Sequence, residues 1–217
     1  MRPVGLILAF TLLSNLTAQA RTRYIPCETR SILGRTHQLC WTFDDHPHPN
    51  TPKFLNILSL YKIRGTFFIV GWPLWFFHRS PTTPSYQRYL RWLKAIKAKG
   101  HRFGNHSVSH SNLCTKSLKV IRWEINLTQR LMRKHLRVRV RLWRPPHAVL
   151  CPKVQRVVAA HGLTTIMFDV HDWRTSAPRM WQIIRRRVLK GESSTTILLH
   201  FDPVKLQKLL HLLAKHP

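Results

Sequence analysis

Short apolar runs alternate along the chain with segments of helical periodicity, and this order constrains the fold more than any other feature. Residues 65–71 form a buried-strand pattern bounded by glycines, whereas residues 51–61 carry apolar side chains at helical spacing. Strands and helices that alternate at this rhythm predict an α/β fold with parallel strands. The chain is long enough for one domain with a substantial core, and it shows neither an internal repeat nor a domain linker.

The predicted strands cover residues 38–43, 65–71, 101–105, 137–142, 164–168 and 195–199. The predicted helices cover residues 51–61, 86–99, 118–135, 152–161, 178–190 and 204–213. Residues 137–142 alternate arginine with apolar residues at a period of two, which predicts a strand with one basic face. Residues 72–85 are rich in Trp, Phe and Pro and are predicted to form a loop.

Carboxylates are scarce in this chain, and most of its aspartates are bunched. There are eight Asp and Glu residues against 36 Lys and Arg, and four of the five aspartates fall in two short clusters flanked by apolar residues. Polar clusters follow the predicted strands, and in βα barrels the chemistry collects at the carboxyl ends of the strands. The side chains expected to converge on one face are those of Asp44, Asp45, His106, His110, Arg144, Asp169, Asp172 and His200.

The segment His106-Ser-Val-Ser-His110 places two imidazoles four residues apart, so that on a helix both could reach one ion. Two His and one Asp make the three-ligand, open-position site of a catalytic divalent ion; zinc is the default, although iron also accepts this set. At a strand end the second of two adjacent aspartates can turn, so one could bind the metal while the other acts on water. The alternatives are two solvated histidines and a turn-forming aspartate pair before His46.

The first twenty residues are predicted to be a secretory signal peptide. Arg2 precedes an apolar core of about ten residues, and a small-residue cleavage site ends at Ala20, so the mature chain is expected to begin near Arg21 and to comprise residues 21–217. The alternative is an uncleaved anchor. A secreted or periplasmic location follows, and no later segment is apolar enough to span a membrane.

An exported chain can oxidise its cysteines, and the four present here allow three connectivities. Cys114 and Cys151 each follow a candidate site loop, which favours their pairing and leaves Cys27 with Cys40. The absence of a CxxC argues against a zinc ribbon.

The formal net charge of +28 attracts polyanions over a long range. Candidate partners are nucleic acid, an anionic cell-wall polymer and an acidic membrane surface. The alternative is a general compositional preference for Arg over Glu, because the basic residues are spread along the whole chain.

Five segments resemble, in order, the motifs of the polysaccharide deacetylases, the NodB-homology carbohydrate esterases of family 4. They are Thr42-Phe43-Asp44-Asp45, His106-Ser-Val-Ser-His110, Arg144-Pro-Pro-His147, Asp169-Val-His-Asp172-Trp173 and Leu198-Leu199-His200. The resemblance spans residues 39–213 and implies a distorted (β/α) barrel that removes acetyl groups from N-acetylated sugars with the help of a divalent metal.

Carried over by position, the resemblance implies a role for each site residue. Asp45, His106 and His110 would bind the metal. Asp44 would be the general base, held by Arg144, and His200 the general acid, oriented by Asp172. The backbone N–H of His147 would stabilise the oxyanion, and Trp173 and Leu198 would shape the acetyl pocket. The chain departs from the family pattern at His147, where Tyr is usual, and in lacking a common closing strand.

The sequence therefore predicts a secreted, metal-dependent N-deacetylase of N-acetylglucosamine polymers, with peptidoglycan ahead of chitin. We expect a monomer whose partner is an N-acetylated glycan, with an anionic cell-wall polymer as a further candidate for the basic surface, and no specific nucleic acid. One alternative is a non-catalytic carbohydrate-binding relative of the same fold. The other is a cationic polyanion-binding protein.

Overall fold

The computed structural model describes residues 25–77 and 80–217. The predicted signal peptide, residues 1–20, lies outside the described residues. The described strands are β1 (Glu28–Ile32), β2 (Arg35–His46), β3 (Thr66–Ile69), β4 (Arg102–Asn105), β5 (Leu142–Trp143), β6 (Thr164–Thr165), β7 (Val170–His171) and β8 (Ser194–Leu199). The helices are α1 (Thr51–Leu60), α2 (Trp72–Phe77), α3 (Pro84–Ala98), α4 (Leu118–Leu136), α5 (Pro152–Ala160), α6 (Ala177–Leu189) and α7 (Pro203–Ala214).

The strands form one curled sheet in the order β6-β5-β4-β3-β2-β8-β7. Every neighbouring pair on this path is parallel, and β1 adds to β2 as an antiparallel strand. Strands buried on both faces are near-continuous apolar runs, as in β3 and β8, where every residue is buried. The architecture is a single-domain distorted (β/α) barrel, which confirms the predicted fold class. Because the strands run parallel, their carboxyl ends share one edge.

A close contact within the sheet fixes the position of one buried arginine. A Cβ on Gly104 would lie 2.2 Å from Cδ1 of Phe68, so only glycine lets the two strands approach. The Phe68 ring in turn lies under the guanidinium of Arg144, with 4.2 Å between Cζ and the ring centroid. The packing of β3 against β4 therefore places the Phe68 ring where it contacts the Arg144 guanidinium.

Two disulfides confirm the predicted pairing, Cys27 with Cys40 and Cys114 with Cys151. The second joins the short 3₁₀ turn Leu113–Thr115 to the residue that precedes α5. It therefore ties the segment after the histidine loop to the neighbouring helix.

The prediction of a loop over residues 72–85 is wrong in part, because Trp72–Phe77 is helical and α3 already begins at Pro84. Proline suits the first turn of a helix, where its missing N–H costs nothing, and both helices begin in this way. Leu74 is the one side chain that α2 buries.

The prediction of a strand over residues 137–142 is also wrong, because only Leu142 of that run joins the sheet. Arg137 adopts the left-handed conformation and ends α4 by donating its backbone N–H to the carbonyl of Arg133. The alternation arises because Val138 and Val140 pack against the core while the arginines face outward. The strand predicted over 164–168 shortens to Thr164–Thr165, and β7 was not predicted. Among the described residues no helix is long and apolar enough to cross a membrane.

Candidate active site

The two adjacent aspartates at the end of β2 reach the same cleft. In the pairing of β2 with β3 the register shifts between Asp44 and His46, and the bulged residue Asp45 has a φ of 61°. A bulge re-aims a side chain that would otherwise point to the opposite face. This confirms the expectation that the second aspartate turns at the strand end.

Asp45, His106 and His110 place three ligand atoms within 4.8 Å of one another. The Oδ1 atom of Asp45 lies 3.7 Å from Nε2 of His106 and 3.4 Å from Nε2 of His110. This oxygen is buried without a hydrogen-bond donor. A buried carboxylate oxygen facing two imidazole nitrogens fits a divalent cation with three protein ligands and an open position.

Burial sets the protonation of these three groups. It raises the pKa of Asp45, an effect that the nearby His106 opposes, and it lowers the pKa of both His106 and His110. Both imidazoles are therefore held neutral, which is the form that binds a metal.

The histidine pair lies in a loop, so the prediction that the two imidazoles share a helix face is wrong. Ser107 and His110 both have positive φ, at 64° and 57°. The carbonyl of Arg144 accepts a hydrogen bond from Nδ1 of His106 at 2.9 Å, which leaves Nε2 of that ring free to face Asp45. Asn105 supports the loop by accepting the Ser107 N–H at 2.8 Å.

Glu124 on α4 braces the same loop and was missed in the sequence. Its buried carboxylate accepts the backbone N–H groups of Val108 at 2.8 Å and of Ser109 at 2.9 Å, together with the Ser109 hydroxyl. The available signal was its rarity, because it is the only acidic residue between positions 46 and 168. A lone carboxylate in so basic a chain indicates a specific structural role.

Asp44 is paired with Arg144 beneath the cleft. The guanidinium donates to Oδ1 of Asp44 at 2.8 Å, to Oγ1 of Thr42 at 2.9 Å and to the carbonyl of Ile166 at 2.9 Å. Arg144 is fully buried, and burial lowers its pKa against the opposing charge of Asp44. The second oxygen of Asp44, Oδ2, lies 3.6 Å from Nε2 of His106 and faces the cleft.

Asp172 and His200 form a second pair across the cleft. Oδ1 of Asp172 accepts a hydrogen bond from Nδ1 of His200 at 2.6 Å, and Oδ2 accepts the backbone N–H of His200 at 2.9 Å. Burial disfavours the charge on each group, but their mutual interaction prevails: the pKa of His200 is raised and that of Asp172 is lowered. Their interaction therefore favours the charged form of the pair, and the Nε2 side of the ring is directed away from Asp172.

His46 is a further residue that the sequence did not reveal. Its Nε2 donates to the carbonyl of His200 at 2.6 Å, and its Nδ1 lies 2.9 Å from Oγ1 of Thr51. Burial lowers the pKa of His46 to about 4, so it stays neutral. It fixes the backbone that carries His200.

Asp169 does not reach the site, which corrects the expectation that its side chain converges there with the other polar residues. Its carboxylate accepts the backbone N–H of Thr196 at 2.8 Å and lies 3.4 Å from Nη2 of Arg187. It belongs to the junction between β8 and the residues before β7. Asp172, by contrast, lies beyond β7 at the carboxyl end of the sheet.

The converging groups line one cleft of about 570 Å³. Its lining includes Asp44, His106, His110, His147, Trp173, Leu198 and His200. Leu198 is buried, whereas Trp173 is 66% exposed at the rim. The His147 ring donates from Nε2 to the carbonyl of His110 at 3.0 Å, so this ring supports the loop that carries the second imidazole.

The chain is similar in sequence to known proteins. Residues 34–166 match the family model described as Polysaccharide deacetylase. A peptidoglycan-N-acetylglucosamine deacetylase of Bacillus cereus is 29% identical over 164 residues, which cover 73% of this chain and 70% of the relative. Chitin deacetylase 1 of Cryptococcus neoformans is 27% identical over 167 residues, covering 71% of this chain but only 32% of the relative, so the chain spans about a third of that protein.

Two solved structures show the same fold. A family 4 carbohydrate esterase from Streptomyces lividans superposes with a TM-score of 0.67 at 24% identity, covering 82% of this chain and 88% of the other. A family 4 pseudoenzyme from Bacillus anthracis gives a TM-score of 0.66 at 24% identity, covering 82% of this chain and 60% of the other.

Proposed function

Because the chain belongs to the polysaccharide deacetylase family, we propose that it is a metal-dependent N-deacetylase of N-acetylglucosamine-type glycans, with peptidoglycan ahead of chitin. One observation carries the proposal: the buried, donor-less Oδ1 of Asp45 faces two neutral imidazoles. The Asp44 carboxylate and the His200 imidazole line the same cleft, which supports their assignment as base and acid for one carbonyl bound there.

Asp45, His106 and His110 would hold the ion, with zinc as the default for two imidazoles and a carboxylate. When bound, such an ion supplies Lewis-acid polarisation of the amide carbonyl and of the attacking water. Asp44 takes the proton of that water through Oδ2, because Oδ1 is occupied by Arg144 at 2.8 Å. Arg144 is a positioning residue that keeps the free oxygen directed into the cleft.

His200 donates a proton to the leaving amine on the opposite side of the cleft. Its raised pKa keeps the ring protonated to higher pH than a free histidine, and Asp172 holds Nδ1 so that Nε2 carries the transferable proton. The backbone N–H of His147 is assigned to the oxyanion, a contribution of roughly 3 kcal/mol for one such donor. Leu198 and Trp173, which line the cleft, are assigned to the acetyl pocket.

We also infer that the protein acts outside the cytoplasm, because residues 1–20 have the pattern of a signal peptide. The two disulfides support this inference, since such bonds persist in oxidising compartments. We expect the active form to be a monomer, because one chain supplies the three assigned metal ligands together with Asp44 and His200.

Acetate release from N-acetylglucosamine oligomers tests the proposal. The purified protein is expected to release acetate, to lose this activity with a chelator and to regain it with zinc or another divalent ion. Asp44→Asn is expected to lower the rate by about 10²- to 10⁴-fold, since it removes the general base while keeping its shape. Undiminished release by this variant would refute the role of Asp44.

The alternative of a non-catalytic relative has one specific observation in its favour. His147 replaces the expected Tyr, and a similar fold occurs in the pseudoenzyme from Bacillus anthracis. That alternative predicts glycan binding without acetate release in the presence of zinc. If the replacement of Tyr by His147 causes that loss, His147→Tyr is expected to restore acetate release, because the His147 ring lines the cleft and lies 4.5 Å from the His110 ring between centroids.

A further inference from the structure

A basic groove lies at the amino end of the strands, opposite the candidate active site. It has a volume of about 490 Å³ and is lined by Lys97, His101, Arg102, Phe103 and residues 138–142. A second cavity of about 640 Å³ shares Val138 and Arg139 with it and adds Arg133 and Arg137. We refer to the two together as the basic groove. Arg102 begins β4 and Arg141 directly precedes β5, so both lie at the edge of the sheet remote from the cleft.

The segment after α4 places three arginine side chains along this groove. Arg137, Arg139 and Arg141 are exposed, whereas the residues between them are buried or half-buried. Arg137 is in the left-handed conformation at the end of α4, whereas Arg139 and Arg141 alternate with buried residues as in an extended chain, in which side chains two residues apart are separated by about 6.6 Å. Such spacing is comparable to that of neighbouring phosphates along an extended phosphodiester polymer.

All eight acidic side chains of the chain lie among the described residues, and none of them lines the groove. Three of these carboxylates lie in the cleft, and one accepts hydrogen bonds from the histidine loop. Of the other four, one pairs with an arginine within β1, two pair with Arg187, and one accepts a backbone N–H at the start of α7. These eight residues are Glu28, Asp44, Asp45, Glu124, Asp169, Asp172, Glu192 and Asp202. None of the residues that line the groove is acidic.

Basic residues near the groove also affect the pKa of the buried His101. Burial is the main cause that lowers its pKa to about 4, and the charges of Lys99 and Arg64 lower it further. Arg64 precedes β3 as Arg102 begins β4, so the amino ends of three adjacent strands, β3 to β5, each carry an arginine.

We propose that the basic groove binds a linear phosphodiester polymer without bases, of the polyol-phosphate kind, and that it does so by charge. Proteins that bind single-stranded nucleic acid combine a positive groove with aromatic side chains on which bases stack. Among the described residues that line this groove, the one aromatic ring apart from His101 is Phe103, which is 7% exposed. The surface therefore offers charges at a regular spacing and no stacking platform. Binding there would hold the protein on an anionic matrix while the cleft at the other end stays open.

The binding of poly(glycerol phosphate) to the purified protein, measured as Kd across a series of salt concentrations, tests the proposal. The variant Arg102→Gln/Arg139→Gln/Arg141→Gln removes three charges from the groove. The matched control Arg185→Gln/Arg186→Gln/Lys190→Gln removes three exposed charges at α6, which packs by the other end of the sheet. Acetate release from soluble oligomers and circular dichroism confirm that each variant is folded.

We expect the groove variant to reduce the slope of log K against log salt by about 2, since each lost phosphate contact is worth about 0.7. The control is expected to keep the slope and the affinity of the unmodified protein. Equal losses in both variants, no binding by the unmodified protein, or tighter binding of single-stranded DNA of matched charge would overturn the proposal. The binding assay needs no catalysis, so its result is independent of the deacetylase activity.

Discussion

Replacing Arg144 tests whether the buried ion pair beneath the cleft is built as the structure indicates. Arg144→Met keeps most of the side-chain volume and removes the guanidinium, which donates to Asp44, Thr42 and the carbonyl of Ile166. The Asp44 carboxylate, itself 3% exposed, then stays buried without its cation. The free energy of unfolding should therefore fall markedly.

The expected magnitude follows from the burial of both partners. Breaking a buried pair by removing one partner costs about 3–5 kcal/mol, because it leaves an uncompensated charge. Asp44→Asn costs less, about 1–3 kcal/mol, since the amide oxygen still accepts a hydrogen bond from the guanidinium. In the Asp44→Asn background no carboxylate is left unpaired, so Arg144→Met should cost about 2–3 kcal/mol less than it does alone.

Urea unfolding of the two single variants and the double variant measures this coupling. Disulfides stay intact and a chelator is present, so that metal binding does not contribute to stability. Arg156→Met on the exposed face of α5 is the control, with an expected change within about 0.5 kcal/mol. If the two substitutions add within about 0.5 kcal/mol, Arg144 and Asp44 do not act as a pair and the reasoning fails.

Three further changes have defined outcomes. Asp172→Asn removes the carboxylate that, against burial, raises the pKa of His200, so the alkaline limb of the kcat–pH profile should move to lower pH. An unmoved limb would mean that another group supplies the proton. Glu124→Ala leaves two backbone N–H groups without an acceptor. The free energy of unfolding in urea should fall by about 2–4 kcal/mol, and zinc affinity should fall by about 10- to 100-fold. An unchanged zinc affinity would contradict the supporting role of Glu124. The Cys114→Ser/Cys151→Ser variant should lose about 2–4 kcal/mol of stability in the same unfolding assay yet keep its kcat, whereas lost activity in the folded variant would tie the disulfide to the cleft.

The convergence of the site residues could be predicted because parallel strands end at a common edge. Short apolar runs followed by polar clusters located Asp44, Arg144 and His200 at that edge without any knowledge of tertiary contacts. The pairing of the cysteines was predictable for the same reason, since Cys114 and Cys151 follow neighbouring site loops. The parallel arrangement of the strands thus brings segments that are distant in sequence to the same edge of the sheet.

The local backbone conformation of two segments could not be predicted from the periodicity of the sequence. The spacing of His106 and His110 is helical, but the structure brings the imidazoles together through a loop with two positive φ angles. The alternation at residues 137–142 is that of a strand, yet Arg137 ends a helix and the following residues find no pairing partner in the sheet. In both cases the local pattern did not decide the conformation, because the rest of the fold determines where a loop or an unpaired segment lies.

Supporting residues were missed because their own sequence context is ordinary. Glu124 stands in a helix among basic residues, where a carboxylate usually faces solvent, and His46 directly follows the aspartate pair at the end of β2. Only the structure shows that one holds the histidine loop and the other the backbone of His200. The scarcity of acidic residues was a usable clue for Glu124, and none existed for His46.

Calorimetric titration of metal-free protein with zinc tests most directly whether Asp45, His106 and His110 bind one ion. One zinc per chain is expected for the unmodified protein and for His211→Ala, which alters an exposed histidine on α7. Asp45→Ala and His110→Ala should each weaken binding by more than about 100-fold, since losing an outer-shell partner alone costs about 10- to 100-fold. Wild-type stoichiometry and affinity in both variants would contradict the account.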